Sequence, residues 1–349
     1  MIRKFEFVQP EDLRETVELL DKHQKQGKAR LIAGGTDIVP GFQQEASRFK
    51  DIDLLIDIHG LKELKIIKRE DNHVIIGAGV TFSQLIKHPL IKELFPLLAK
   101  AAGSIGSVQI RNRATIAGNF VNNAPCADSV PPLLVYDAEI QIHSSNKKRN
   151  LSLEDFLLIP CETLSIRQAS EMKPTKERHP DDREWVGGAA PSFRQTSEMK
   201  PTKERHPDDR EWVGGAAPYK TQLQPDEIVT RVVLPVPGKD YRGDYYKLGR
   251  RRGVAISRIS LALLVDIQDS VIRDIRIASG AVTPIGKRFK QLEKLARGKK
   301  ATTDLFKQLA RELGQQILDI TGLRWSTAYK LPVVQQTFYQ LLESVCDNS

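Results

Sequence analysis

Cysteine is scarce in this 349-residue chain: Cys126, Cys161 and Cys346 are all there are, and they stand far apart. Three scattered thiols make neither a disulfide framework nor the ligand set of a zinc or iron–sulfur centre. A reducing, cytoplasmic setting is the simple expectation. Long apolar runs are missing too: nothing approaches the roughly 18–20 residues needed to span a bilayer. The segment Met1-Ile2-Arg3-Lys4-Phe5-Glu6 has no apolar signal core, so no secretory peptide is expected. Aromatic residues are few, at 6%. No aromatic-rich RNA-binding signature and no zinc-finger spacing accompany the basic residues. The net charge of +9 comes in short runs such as Lys147-Lys148-Arg149 and Arg250-Arg251-Arg252. That pattern suits docking to an acidic protein, and no nucleic-acid partner is expected. The dinucleotide fingerprint of a Rossmann fold is absent, because Gly77-Ala78-Gly79 lacks the third glycine and the strand–helix setting; a Walker loop is absent as well.

What is present is an alternation of helix and strand patterns. Residues 11–23 read as a helix, with Leu13, Val17 and Leu20 on one face. β-like runs follow at 29–33 and 54–58, suggesting a small layered unit over residues 1–57. A second region carries a strand at 73–79, helical patterns at 82–87 and 91–102, and strands at 138–143 and 227–234. The third region, from about Arg242, reads as two strands at 260–267 and 271–277, turned at Gln268-Asp269. Helices follow at 288–296, 304–317 and 333–345. Strands followed by helices indicate an α+β unit.

Between the second and third regions lies a tandem duplication. Residues 165–191 recur as 192–218 with two changes, Ile166 against Phe193 and Ala169 against Thr196. The unit is dense in charge, proline and glycine, and poor in branched aliphatics, so it buries too little apolar area to offset the entropy of ordering. Two copies are also too few for a solenoid. The segment reads as a disordered surface insertion, with Trp185 and Trp212 as its apolar exceptions; a docking element for a partner is the sharper alternative.

Two glycine-bearing stretches carry the chemistry. Leu31-Ile32-Ala33-Gly34-Gly35-Thr36-Asp37-Ile38 reads as a strand ending in a tight turn. Its N–H groups form an anion nest, and Thr36 adds a hydroxyl. By itself a Gly-Gly pair is an ordinary turn. The second stretch, Gln109-Ile110-Arg111-Asn112-Arg113-Ala114-Thr115-Ile116-Ala117-Gly118-Asn119, again combines small residues, a hydroxyl and an amide, with Asn122, Asn123 and Asp128 close behind. Such a run is a poor helix or strand interior and a good lining for a polar ligand. Together the two stretches suggest the walls of one dinucleotide site.

Read together, these segments resemble the FAD-binding medium subunit, or domain, of the xanthine dehydrogenase and carbon monoxide dehydrogenase family of molybdenum hydroxylases. Ala33–Ile38 is similar to that family's first pyrophosphate loop, and Ile105–Asn119 to its second. Pro125-Cys126-Ala127-Asp128-Ser129-Val130-Pro131-Pro132 continues the match, as do Tyr219-Lys220-Thr221, Pro225–Val229, Tyr246-Lys247, Ala278–Pro284 and Ser326–Tyr329. The resemblance implies an α+β chain. A two-subdomain FAD-binding fold (vanillyl-alcohol-oxidase-like, PCMH-type) would cover residues 1–57 and 58–238, interrupted by the insertion at 165–218. A CO-dehydrogenase-flavoprotein-like α+β domain would cover 242–349.

The same resemblance implies roles for individual residues. Leu31, Ile32, Ala33, Gly34, Gly35, Thr36, Asp37 and Ile38 would wrap the FAD pyrophosphate through backbone N–H groups. Ile105 would pack on the cofactor, and Thr115, Ile116, Ala117, Gly118 and Asn119 would line its other side. Asp128 would hydrogen-bond its polar part, with a helix N-cap as the plainer role. Val229 would touch it, with a core position as the alternative. Lys247, the one residue given a catalytic role, would lie near the isoalloxazine, where a cation favours the reduced cofactor; a surface lysine is the alternative. No metal is expected on this chain. The 2Fe–2S clusters and the molybdenum cofactor belong to an iron–sulfur small subunit and a molybdenum large subunit. Electrons would leave for NAD or another acceptor. One departure bears on that acceptor: where relatives carry an acidic Asp-Ile-Ala segment, this chain has Val254-Ala255-Ile256 after Arg250-Arg251-Arg252-Gly253. A free-standing flavin oxidoreductase and a non-catalytic scaffold subunit are the rival readings.

Overall fold

The computed structural model describes residues 5–23, 28–158, 218–251, 253–323 and 326–346. Residues 159–217, which take in Cys161 and all of the 165–218 duplication but its last residue, with Trp185 and Trp212, lie outside the described residues.

The first layer is β1 (Glu6–Val8), α1 (Leu13–His23), β2 (Ala29–Ile32), α2 (Ile38–Gln43) and β3 (Leu54–Asp57). Its strands form a parallel sheet in the order β1-β3-β2. α1 starts two residues later than the apolar pattern predicts because the Asp12 carboxylate accepts the Glu15 N–H at 2.8 Å, as an N-cap does. Its buried face carries Thr16, Val17 and Leu20.

The second layer runs β4 (Ile67–Glu70), β5 (His73–Gly77), α3 (Phe82–Lys87), α4 (Pro89–Leu94), α5 (Pro96–Ser104), α6 (Val108–Arg113), α7 (Ile116–Asn122), α8 (Val130–Val135), β6 (Glu139–His143), β7 (Lys148–Ser152), α9 (Leu153–Leu157) and β8 (Ile228–Pro235). The strands form one antiparallel sheet in the order β4-β5-β8-β6-β7. β8 is its central strand, although it enters only after the duplication. The helix predicted over 91–102 is two helices, because Pro96 lacks the N–H needed to continue α4 and instead opens α5.

The third layer is an antiparallel sheet in the order β12-β11-β10-β9, built from β9 (Tyr241–Gly249), β10 (Ser257–Gln268), β11 (Val271–Gly280) and β12 (Lys287–Arg288). It carries α10 (Lys290–Ala296), α11 (Thr303–Thr321) and α12 (Thr327–Cys346). The β10–β11 turn falls at Asp269-Ser270, one residue later than predicted, with φ of 51° and 59°. Two positive values in a two-residue loop match the right-handed twist of the hairpin. β10 is apolar on both sides for a reason. Ala262 and Leu264 join the large core shared with the first two layers, while Leu261, Leu263 and Val265 pack under α10–α12. The third sheet is therefore sandwiched, and one face of it helps build the site. Among the described residues no helix is long and apolar enough to cross a membrane.

Candidate functional site

β2 ends at Ile32, whose carbonyl accepts the Ile58 N–H at 2.9 Å. The chain then turns through Ala33-Gly34-Gly35-Thr36 into α2. Gly35 holds φ at +72°, a left-handed conformation that a side chain disfavours. The N–H groups of Gly34, Gly35, Thr36 and Asp37 donate to no acceptor among the described residues. Gly34 serves a different need: a Cβ there would fall inside the Arg113 carbonyl oxygen and 3.0 Å from Ala114 Cα. The first glycine loop thus lies backbone against backbone on the second.

The second stretch is more ordered than its composition suggests. It folds as α6 and α7, each opened by a hydroxyl cap: Ser107 accepts the Ile110 N–H at 3.3 Å, and Thr115 accepts the Gly118 N–H at 3.1 Å. The caps let short, weakly helical sequences form turns. The Phe82 N–H donates to Ala114 O at 3.1 Å and the Ile116 N–H to Val80 O at 2.9 Å, which tie the junction between the two helices to the start of α3. Thr115→Ala is expected to lower stability by about 1 kcal/mol, read as a reduced midpoint in urea unfolding.

Between the loops opens a cleft of about 440 Å³. Of the sequence-predicted residues, Leu31, Ala33, Gly34, Gly35, Thr36, Asp37, Ile38, Ile105, Thr115, Ala117, Gly118, Asn119, Asp128, Val229 and Lys247 line it. Ile32 and Ile116 do not: Ile32 packs toward Phe49, Ile52 and Leu55, and Ile116 is fully buried in the large core. Val229 is at once a core residue, 4% exposed, and part of the wall. Asn119 Oδ1 accepts from Ser129 Oγ at 2.7 Å, so its amide is already anchored.

The sequence assigns several other lining residues no cofactor-binding role. Arg48 reaches in from the segment before β3. Its guanidinium stands 4.6 Å from the Phe49 ring centre and 4.3 Å from that of Tyr219, and it donates to Asn122 Oδ1 at 2.9 Å. No motif marks it, because its partners lie up to 171 positions away in sequence. Cys126 also lines the cleft; burial, then the nearby Asp128 charge, pushes its thiol above the usual range. Val254, Ala255 and Ile256 close one side, with Ile256 77% exposed.

At that side lies a buried ion pair. Lys247 Nζ stands 2.7 Å from Asp128 Oδ2 and donates to Ser104 O at 2.8 Å. The lysine side chain is 12% exposed and the aspartate side chain is buried, so Lys247 is no surface lysine. Asp128 is no N-cap either: Ser129 holds that place at α8 without a side-chain cap bond. The other Asp128 oxygen accepts from Tyr245 OH at 3.2 Å and from Ser257 Oγ.

Comparison with known proteins gives this geometry a family. Residues 3–172 match the model for the FAD-binding domain in molybdopterin dehydrogenase, and residues 244–345 match that for the CO dehydrogenase flavoprotein C-terminal domain. The chain belongs to the FAD-binding medium-subunit family of molybdenum hydroxylases. It is 28% identical to the nicotinate dehydrogenase FAD-subunit of Eubacterium barkeri, over 99% of this chain and 97% of that one. It is 26% identical to the putative xanthine dehydrogenase FAD-binding subunit of Escherichia coli K12, over 88% and 85%. A carbon monoxide dehydrogenase structure from Hydrogenophaga pseudoflava shares the fold at a TM-score of 0.76, with 22% identity over 99% of this chain and 98% of that one.

This medium-subunit relative is thus an oxidoreductase subunit with FAD as its cofactor. The cleft suits a dinucleotide: the first loop's N–H groups, without acceptors among the described residues, are available to an anion, Gly35 keeps the backbone bare, and the Lys247–Asp128 pair closes one end. FAD, when bound, supplies a centre that takes up and releases electrons singly or in pairs. β8, which carries Val229, falls between the two matched spans yet occupies the middle of the sheet.

Proposed function

We propose that this chain is the electron-transfer subunit of a multi-subunit molybdenum hydroxylase. It receives electrons singly from 2Fe–2S clusters of a small partner subunit and passes them in pairs to NAD or another acceptor. Substrate is hydroxylated on a separate molybdenum subunit. The observation that carries this reading is the Gly34–Arg113 backbone contact, which joins the two glycine loops into one cleft ending at Lys247 and Asp128. In this reading Leu31–Ile38 hold the pyrophosphate, with Thr115–Asn119 on its other side. Ile105 and Val229 pack against its apolar part, and Lys247 faces the isoalloxazine. The partners follow from ligand chemistry: a 2Fe–2S cluster takes four cysteine thiolates or their histidine substitutes, and this chain holds three separated cysteines. The named relatives are themselves FAD subunits of dehydrogenases, which supports the same division of labour. Residues 1–57, 58–238 and 242–349 serve as its three units, and the cytoplasm as its compartment.

The acceptor approaches over the loop before β10. Arg251 Nε donates to Val254 O at 2.9 Å, which sets Arg251 beside the Val254–Ile256 wall of the cleft. An anionic acceptor fits that charge. Deleting residues 165–218 is expected to leave FAD bound, checked by flavin absorbance of the purified variant; loss of flavin would place the duplication within the fold. The reading as a whole is tested by purifying the native complex and recording its absorbance and mass. Flavin and iron–sulfur bands with a small and a large partner are the expected result. Flavin-dependent turnover by the chain alone, with no partner retained, would favour a free-standing oxidoreductase.

A further inference from the structure

The two-residue period of β9 puts Tyr245 and Lys247 on one face, toward the core shared with the FAD-binding layers. Ser257 stands at the start of β10, opposite Gly249. Both hydroxyls converge on one atom, Asp128 Oδ1, while Lys247 takes Oδ2. All three supporting groups are enclosed: Tyr245 is 2% exposed, Asp128 6% and Ser257 6%. Neither Tyr245 nor Ser257 lines the cleft, whereas Asp128 and Lys247 do.

We propose that Tyr245 and Ser257 are positioning residues that set the field Lys247 presents to the bound flavin, by hydrogen-bonding the oxygen of Asp128 that faces away from the lysine. The proposal rests on the placement of Lys247 beside the isoalloxazine. An ion pair seen from its side presents two charges that nearly cancel. Two hydroxyl dipoles aimed at the rear oxygen offset part of the carboxylate charge, so the cleft is left with a surplus of the ammonium's field. Burial makes these terms count, because charges and dipoles act more strongly away from water. Burial first, and the Asp128 charge second, push the Tyr245 phenol well above its usual range, so it remains a donor at physiological pH. A positive field favours a cofactor that is gaining electrons. Removing either hydroxyl therefore makes the flavin harder to reduce.

The test is the midpoint potential of FAD in the full-length protein at fixed pH, for Tyr245→Phe, Ser257→Ala, Ser257→Thr and Lys247→Met. Tyr245→Phe and Ser257→Ala are expected to keep their flavin and to shift the midpoint to more negative values. Ser257→Thr, which retains a hydroxyl, is expected to hold the wild-type value. Wild-type midpoints in Tyr245→Phe and Ser257→Ala, beside a lowered one in Lys247→Met, would overturn the proposal and leave the functional reading standing. An unchanged midpoint in Lys247→Met as well would overturn both, since Lys247 would not be near the flavin. The Ser257 pair keeps the test informative should Tyr245→Phe fail to fold.

Discussion

Replacing Gly34 with alanine is expected to strip the chain of FAD while leaving most of its fold in place. The new methyl would overlap the Arg113 carbonyl oxygen and crowd Ala114 Cα, and both are backbone atoms that cannot swing aside. Arg113 and Ala114 join α6 to α7, and that junction is tied to Val80–Phe82 by hydrogen bonds. The first loop must therefore lift away, which opens the cleft and turns its free N–H groups off a common ligand. An affinity loss of more than about a hundredfold, roughly 2.7 kcal/mol, is expected. Gly35 makes a useful contrast. A Cβ there meets Ile32 Cδ1 and Val39 Cγ2 at 3.4 Å, an ordinary contact, so the penalty for Gly35→Ala is conformational, about 1–2 kcal/mol for its positive φ. Gly35→Val adds a branch to that strained position and is expected to bind less FAD than Gly35→Ala. Titration of FAD against each variant, with circular dichroism to establish folding, separates the cases. Equal affinity in Gly34→Ala and wild type would place the cofactor elsewhere.

The second large effect is expected at Asp128. Asp128→Ala leaves the Lys247 ammonium enclosed without its counter-ion and removes the acceptor shared by Tyr245 and Ser257. Removing one side of a buried ion pair costs about 3–5 kcal/mol, because the surviving charge stays desolvated. Asp128→Asn keeps an acceptor oxygen for the two hydroxyls and is expected to be the milder change. In thermal unfolding the alanine variant should fall on the order of 10 °C below wild type, with the asparagine variant between them. An alanine variant as stable as the asparagine one would show that the hydroxyl donors contribute nothing measurable.

Much of this site was legible in the residues because glycine and capping hydroxyls act locally. Gly34, Gly35, Ser107 and Thr115 mark positions where backbone must turn, approach or be capped, and such needs show in short windows. The helices of the C-terminal region were readable because their apolar period is strong over many residues, and the β10–β11 hairpin because two apolar runs flank a short polar turn. Other features depend on distant partners. α6 and α7 look too polar for helices until their caps and the Val80–Phe82 segment are in place. β9 mixes polar and apolar residues because Lys247 and Tyr245 find their partners at Asp128 and Ser104, more than a hundred positions away. Arg48 carries no signal of its own, since its place in the cleft comes from Tyr219 and Asn122. Ile32 and Ile116 show the opposite limit: they sit inside the two glycine-bearing stretches, yet the alternation of strand and helix turns their side chains into the core.

The central claim is that FAD lies between the Gly34 and Thr115 loops with its redox end toward Lys247. Its most direct measurement is the flavin content of the purified chain after reconstitution, compared with Gly34→Ala prepared in the same way. Equimolar FAD in the wild type and little or none in a folded Gly34→Ala is the predicted result. FAD retained at the same level in both would contradict it.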